Sequence, residues 1–151
     1  MTVGKICVRN VVTGRRDMDV MEAARKMRKA HVGNIVVVDE KNKKRIPVGI
    51  VTDRDIVISV VAMGLDPKVF TIGDMLIKNV ITCREDQQAE ECLQLMRTNG
   101  IRRLPVTDRK GALIGIVAVD DLVRELAIAL GDISRLIRRE QTREIKTRVS
   151  V

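Results

Sequence analysis

Residues 52–55 read Thr-Asp-Arg-Asp, directly after the apolar run Gly49-Ile50-Val51. A strand that ends in a hydroxyl and turns into a helix gathers free backbone N–H groups and the positive end of the helix dipole at one point. Such a point favours phosphate. There the Thr52 hydroxyl binds phosphate or caps the helix, and Arg54 reaches a phosphate. Asp55 can accept two hydrogen bonds from a ribose cis-diol, as acidic residues commonly do. Capping alone accounts for an isolated Thr-x-x-Asp, so both readings stand until the context is known. The phrase is written twice, "GIVTDRDIV" at 49–57 and "GIVAVDDLV" at 115–123. The second copy keeps its glycine and Asp121, but has Ala118 for the hydroxyl and Asp120 for Arg54. A carboxylate beside a phosphate is unfavourable, so the two junctions are expected to differ in strength.

The elements that position these residues are themselves duplicated. "NVVTGRRD" at 10–17 matches "NVITCRED" at 79–86, and "MRKAHVGNIVVVD" at 27–39 matches "MRTNGIRRLPVTD" at 96–108, both at an offset of 69. The glycine phrases lie 66 apart, so the first copy carries three more residues, within "EKNKKRIPV" at 40–48. Each copy opens on an extended segment, Val11–Thr13 or Val80–Thr82. An amphipathic helix follows, with the stripe Val20, Ala23, Ala24, Met27 or Ala89, Cys92, Leu93, Met96. Asp19 and Glu22 suit a capping box at the first of these helices, and Cys92 on the stripe reads as packing.

Next come a strand (Ile35–Val38 or Leu104–Thr107), a turn ("EKNKK" or "DRKG") and a second strand (Val48–Val51 or Leu113–Val117). The second helix is expected over Asp53–Met63, stopped by Gly64, and over Asp120–Leu130, stopped by Gly131. The class is α/β, with the order β-α-β-β-α occurring twice. The repeats fall at 1–68 and 69–131, and a basic helical tail follows at 132–151. Both second helices are apolar on nearly every side. One face covers a sheet; the other requires the second repeat or another subunit.

With these motifs in one register, the chain resembles a tandem pair of CBS domains, the unit also called a Bateman module. The family phrase Gly-hydrophobic-Thr/Ser-x-x-Asp is matched by Gly49, Thr52 and Asp55, with one extra apolar residue after the glycine. Gly115 and Asp121 match it in the second copy. The family's hydrophobic-Pro element appears as Leu104-Pro105, where the first copy departs with Ile35-Val36. The resemblance covers residues 1–130 and implies two clefts between paired repeats that bind AMP, ADP, ATP or S-adenosylmethionine-type ligands. It implies a stronger cleft of Thr52, Arg54 and Asp55 with Ile81, Thr82, Arg102, Arg103, Leu104 and Pro105, the two arginines serving phosphate. It implies a weaker cleft of Asp121 with Val12, Thr13, Gly33, Asn34 and Ile35.

Bulk composition limits the alternatives. Hydrophobic residues make up 45% and charged residues 32% of the 151, with one Phe and no Trp or Tyr, so the core is aliphatic. The net charge of +8 attracts phosphates of nucleotides, nucleic acid or lipid alike. No apolar run is long enough for a membrane span, and the first ten residues are too polar for a secretory signal, so a cytoplasmic protein is expected. Cys7, Cys83 and Cys92 lack zinc-ligand spacing, so no metal and reduced thiols are expected.

No P-loop, dinucleotide fingerprint or His–nucleophile pair is present, so no enzyme and no catalytic cofactor are expected. The partners expected are an adenine nucleotide, a second copy forming a homodimer, and a regulated protein that the residues do not identify. Nucleic acid binding or an assembly scaffold is the alternative. His31, at the position of Gly100, reads as a solvated loop residue, with a phosphate contact in the weaker cleft as the other reading. In the tail, Ile133, Leu136 and Ile137 suggest a helix that packs and then frays, or a basic arm for nucleic acid or an acidic partner.

Overall fold

The computed structural model describes residues 1–76 and 79–148, so the last three residues of the expected tail lie outside the described part. The elements are α1 (Val3–Ile6), β1 (Thr13–Gly14), α2 (Val20–Ala30), β2 (Asn34–Lys41), β3 (Lys44–Thr52) and α3 (Asp53–Ile56), which continues as a π-helix over Val57–Val61. The second half has β4 (Cys83–Arg84), α4 (Ala89–Asn99), β5 (Arg103–Thr107), β6 (Leu113–Ala118) and α5 (Val119–Arg148). The duplicated β-α-β-β-α order is present. The sheets are β1-β2-β3 and β4-β5-β6, each pairing its first two strands parallel and its last two antiparallel. Among the described residues no helix is long and apolar enough to cross a membrane.

Alternation along the strands sorts two faces. Ile35, Val37 and Val51 turn toward α2 and α3 and pack on Val20, Ala23, Met27, Ile56 and Val60. Leu104, Val106 and Val117 do the same against Cys92, Met96 and Leu122. The opposite faces meet each other: Val36, Val38, Val11 and Ile50 pack against Leu113 and Ile116, joining the halves back to back. Each amphipathic helix ends on a left-handed residue, His31 (φ 54°) or Gly100 (φ 64°), and both sit at the surface. The correspondence of His31 with Gly100 is therefore conformational.

Four expectations need correction. The first hairpin is longer than expected: β2 runs to Lys41 and β3 begins at Lys44, so only Asn42 and Lys43, both left-handed, form the turn. The three extra residues lengthen a twisted ribbon, with a bulge at Val37/Val38 where Pro47 cannot donate. Gly64 ends the π-helical segment with φ 65°, as a C-terminal glycine does, but Gly131 stops nothing. Strong helix formers follow it, and α5 continues to Arg148. The tail stripe does not pack on its own chain: Ile133, Leu136 and Ile137 are all exposed. The helix start at Asp19 is half a capping box, in which the Glu22 N–H donates to Asp19 Oδ1 (2.7 Å); the other half occurs at α4, where the Gln88 N–H donates to Glu91 Oε2 (2.7 Å).

The halves exchange their leading segments. Val3 and Gly4 donate backbone hydrogen bonds to Gln87 and Glu85, so residues 1–8 cover the second half. Ile72 and Gly73 donate to Met18 and Arg16, so residues 70–76 cover the first. Cys7 lies over Gly115 and Leu76 over Gly49, which is why both copies of the phrase begin with glycine: a Cβ at Gly115 would stand 2.7 Å from Cys7 Sγ. Asp74 closes the second segment by accepting from the Thr71 N–H and hydroxyl. Those bonds, the backbone one first, hold its carboxyl below the usual range. A Cβ at Gly73 would stand 2.6 Å from the Arg16 carbonyl oxygen, a backbone atom that cannot swing away. Gly73→Ala is therefore expected to cost at least about 1 kcal/mol in urea unfolding.

The thiols are free: Cys83 and Cys92 are buried in the second core and Cys7 is half-buried beside them. A hydrogen bond to Cys92, reinforced by burial, pushes the Cys83 thiol far above its ordinary range. In an aromatic-disulfide titration at pH 8, only Cys7 is expected to react before unfolding, and all three in guanidinium.

Candidate functional site

The Thr52–Asp55 junction forms where β3 leaves the sheet. The Thr52 N–H and hydroxyl both donate to Asp55 Oδ2 (2.8 and 2.7 Å), and the Asp55 N–H returns to Thr52 Oγ1 (3.2 Å). The capping reading of Thr-x-x-Asp is thus realised. It leaves Asp55 Oδ1 with no hydrogen-bond partner among the described residues, on a carboxylate that is only partly buried. The Asp53 N–H donates to the Gly33 carbonyl (3.0 Å), and Thr52 lies directly opposite Asn34 in the ladder. Arg54 is exposed in the first helical turn.

The second junction keeps the backbone and changes the chemistry. The Val119 N–H donates to the Arg102 carbonyl (2.9 Å), and Ala118 lies opposite Arg103. Asp121 is buried with both oxygens engaged, Oδ2 by the Ala118 N–H (2.9 Å) and Oδ1 by Arg124 (3.4 Å). Asp120 faces Arg102 across 3.7 Å. Arg124 has no sequence signature, because its counterpart in the first copy is Ile58.

The remaining candidates sit on the strands and their leaders. Leu104 and Ile35 are fully buried in their own cores, so they can offer a ligand only backbone atoms. Pro105 is buried on β5, and its counterpart Val36 lies in the layer between the two sheets. In the first half the Val36 N–H donates to the Val12 carbonyl (3.0 Å), the bond that leads into β1 at Thr13. At the same place in the second half Pro105 has no N–H, and the Ile81 carbonyl, just before Thr82, accepts no hydrogen bond among the described residues. Among those residues no hydrogen bond or ion pair joins Thr52, Arg54 or Asp55 to Ile81, Thr82, Leu104 or Pro105. The structure brings Thr52 together with Gly33 and Asn34, and Arg102 and Arg103 together with Ala118–Asp120. Sequence reasoning noted Pro105 but not the carbonyl it releases; a proline in a central strand was the available signal.

The described residues hold no cluster of three or more His, Cys, Asp or Glu side chains able to bind a metal ion.

A family model described as "CBS domain" matches residues 3–62 and 72–128. An uncharacterized protein of Methanopyrus kandleri is 41% identical over 124 residues, which cover 82% of this chain and 62% of that protein. This chain therefore matches less than two thirds of that relative's length. Among solved structures, a CBS domain protein from Pyrobaculum aerophilum complexed with AMP is 27% identical with a TM-score of 0.76, covering 87% of this chain and 97% of that one. A CBS domain pair in complex with 5-methylthioadenosine and S-adenosyl-L-methionine is 29% identical with a TM-score of 0.71, covering 84% and 96%.

Proposed function

The chain belongs to the CBS domain family, and on that premise we propose that it is a non-catalytic regulatory module that binds one adenine nucleotide, AMP, ADP or ATP. An S-adenosylmethionine-type ligand is the variant with the same adenosine chemistry. The binding cleft joins Thr52, Arg54 and Asp55 of the first repeat (1–68) to Ile81, Thr82, Arg102, Arg103, Leu104 and Pro105 of the second (69–131). Asp55 holds the ribose, and the arginines hold phosphate, joined by the Thr52 hydroxyl when it turns from Asp55 Oδ2 to the ligand. The reading is carried by the Ile81 carbonyl, which faces the N–H-less Pro105 and accepts no hydrogen bond among the described residues. A free acceptor at a half-buried strand leader suits the 6-amino group of adenine and repels the 6-oxo group of hypoxanthine or guanine. The AMP complex and the methylthioadenosine complex of the two similar structures share that adenine. The cleft of Asp121 with Val12, Thr13, Gly33, Asn34 and Ile35 is the weaker one, since Val12 is already paired and Asp121 already occupied.

A thermal-shift panel tests the proposal. A ligand at 100 times its Kd adds about 2.7 kcal/mol, roughly 5–10 °C for a chain of this size. AMP or another adenosine compound is expected to produce that shift, and IMP and GMP at equal concentration are not. If no adenosine compound shifts the transition, or IMP shifts it as far as AMP, the reading is wrong.

The module acts as a homodimer coupled to a regulated protein. Val57, Ile58 and Val61 on the π-helical segment and Val123 and Leu126 on α5 are exposed in the single chain, and burying them requires a second copy. Val61→Lys together with Leu126→Lys is expected to convert a dimer to a monomer in sedimentation at micromolar concentration. A wild-type chain that sediments as a monomer would rule the dimer out.

A further inference from the structure

Beyond Leu122, α5 leaves its own body: every residue from Leu126 to Arg148 is exposed except Gly131, which is half-buried. At 3.6 residues per turn, Arg135, Arg138, Arg139, Thr142 and Lys146 share one face of this free helix, with Arg143 at its edge. Arg135 pairs with Asp132 and Arg148 with Glu144. Arg138, Arg139, Arg143 and Lys146 have no carboxylate within ion-pair distance among the described residues, and with Thr142 and Thr147 they line one shallow groove. The two carboxylates of this stretch, Glu140 and Glu144, fall on the other side, in line with Ile133 and Ile137. The cations are therefore segregated from the acids rather than interleaved with them.

We propose that this basic face is a docking surface for the phosphate backbone of a DNA duplex, separate from the nucleotide cleft and independent of it. A polyanion fits four unpaired cations spread over about 12 Å of helix, at 1.5 Å per residue. Exposed Leu136 and Ile145 stand at the two edges of this face, but its centre, Arg135, Arg139, Thr142 and Lys146, carries no apolar side chain, whereas a protein partner would need an apolar centre to bury. Lipid is disfavoured because the apolar side that would enter a bilayer carries Glu140 and Glu144. No aromatic stands near to stack unpaired bases, while a helix about 10–12 Å wide enters a major groove about 12 Å wide. The Thr142 and Thr147 hydroxyls are spent on backbone carbonyls, so contact is through charge and independent of base sequence.

The full chain is titrated against a fluorescent random duplex of about 20 base pairs, by anisotropy, from 50 to 200 mM KCl. Four phosphate contacts give a slope of log K against log salt of about −3.6, hence roughly 150-fold weakening across that range. The combined variant Arg138→Gln, Arg139→Gln, Arg143→Gln and Lys146→Gln is expected to lose most of the binding and of the slope. Its far-UV helicity and its AMP thermal shift should stay at wild-type values, since glutamine keeps the helix. Arg25→Gln, Arg28→Gln and Lys29→Gln together, on the exposed side of α2, should leave duplex binding unchanged. The proposal is overturned by absence of duplex binding at 50 mM salt, or by an unchanged slope in the α5 variant. Displacement of the duplex by polyglutamate or by phosphatidylserine vesicles at equal charge also overturns it, and points to an acidic protein or a membrane instead.

Discussion

Asp55→Ala is expected to weaken AMP binding about 100-fold, while Asp121→Ala leaves the affinity within about twofold. A ribose diol on a carboxylate makes two charge-assisted hydrogen bonds, and removing their acceptor costs about 1.5–3 kcal/mol for each. The two together amount to about 3–6 kcal/mol, and the lower end of that range corresponds to roughly a hundredfold change. Asp55 has a second role that confuses a single measurement: its Oδ2 caps the helix by accepting from the Thr52 N–H and hydroxyl. Alanine therefore also removes about 1 kcal/mol of stability in the absence of ligand. Asp55→Asn separates the two roles, because its amide oxygen can still accept from the Thr52 N–H but presents no charge to the ribose. It should keep most of the cap and lose at least about tenfold in affinity. Asp121→Ala breaks a similar cap at Ala118 and releases Arg124, so it should lower unliganded stability without touching the titration. Calorimetry on the three variants decides the assignment. Undiminished AMP binding by Asp55→Ala, or its loss in Asp121→Ala, would place the ligand elsewhere.

The parts of the fold that a local pattern encodes were legible. Helix stripes at Val20, Ala23 and Met27, the alternation Ile35, Val37 against Val36, Val38, and the doubled Thr/Ala-x-x-Asp phrase each follow from a period or a spacing. The exchanged leading segments were not read, although "TVG" at 2–4 and "TIG" at 71–73 repeat at the same offset of 69. Similarity shows that two segments are equivalent, not which body each one covers, and that choice is made by contacts such as Val3 to Gln87 across most of the chain. Gly131 misled for a different reason. Glycine ends a helix when the chain needs a left-handed residue to turn away, as at Gly64. At Gly131 the chain has nowhere to turn, and the helix formers beyond it prevail over glycine's cost of about 1 kcal/mol. At the candidate site the residue types were legible, but the unpaired atoms were not. Among the described residues Asp55 Oδ1 and the Ile81 carbonyl are left without partners by what their neighbours do, and that information lies in the ladder.

The strand chemistry yields a prediction in which stability and affinity move in opposite directions. Pro105→Val copies Val36 into the second half. Its new N–H should donate to the Ile81 carbonyl as the Val36 N–H does to Val12 (3.0 Å). One added ladder bond is worth about 0.5–1.5 kcal/mol, so the unliganded variant should melt higher than wild type. The same bond takes the acceptor that the adenine amino group needs. Leaving that amino group unpaired costs about 1–3 kcal/mol, a loss of roughly tenfold or more in AMP affinity. Discrimination between AMP and IMP should collapse with it, because a site rejects the wrong base through the polar atom that base leaves unpaired or repelled. A packing role for Pro105 predicts otherwise: valine in a buried proline site would lower stability and leave the AMP-to-IMP ratio alone. A variant that melts lower than wild type and still prefers AMP to IMP by the wild-type margin would show that Pro105 shapes the layer between the sheets and that the Ile81 carbonyl does not read the base. The converse change, Val36→Pro, releases the Val12 carbonyl at the cost of its hydrogen bond, but should not create a second tight site. There Ala118 still lacks a hydroxyl, and Asp121 is still held by Arg124. Base reading and ribose capture are separate requirements, and the proposed site needs both in the cleft beside Thr52.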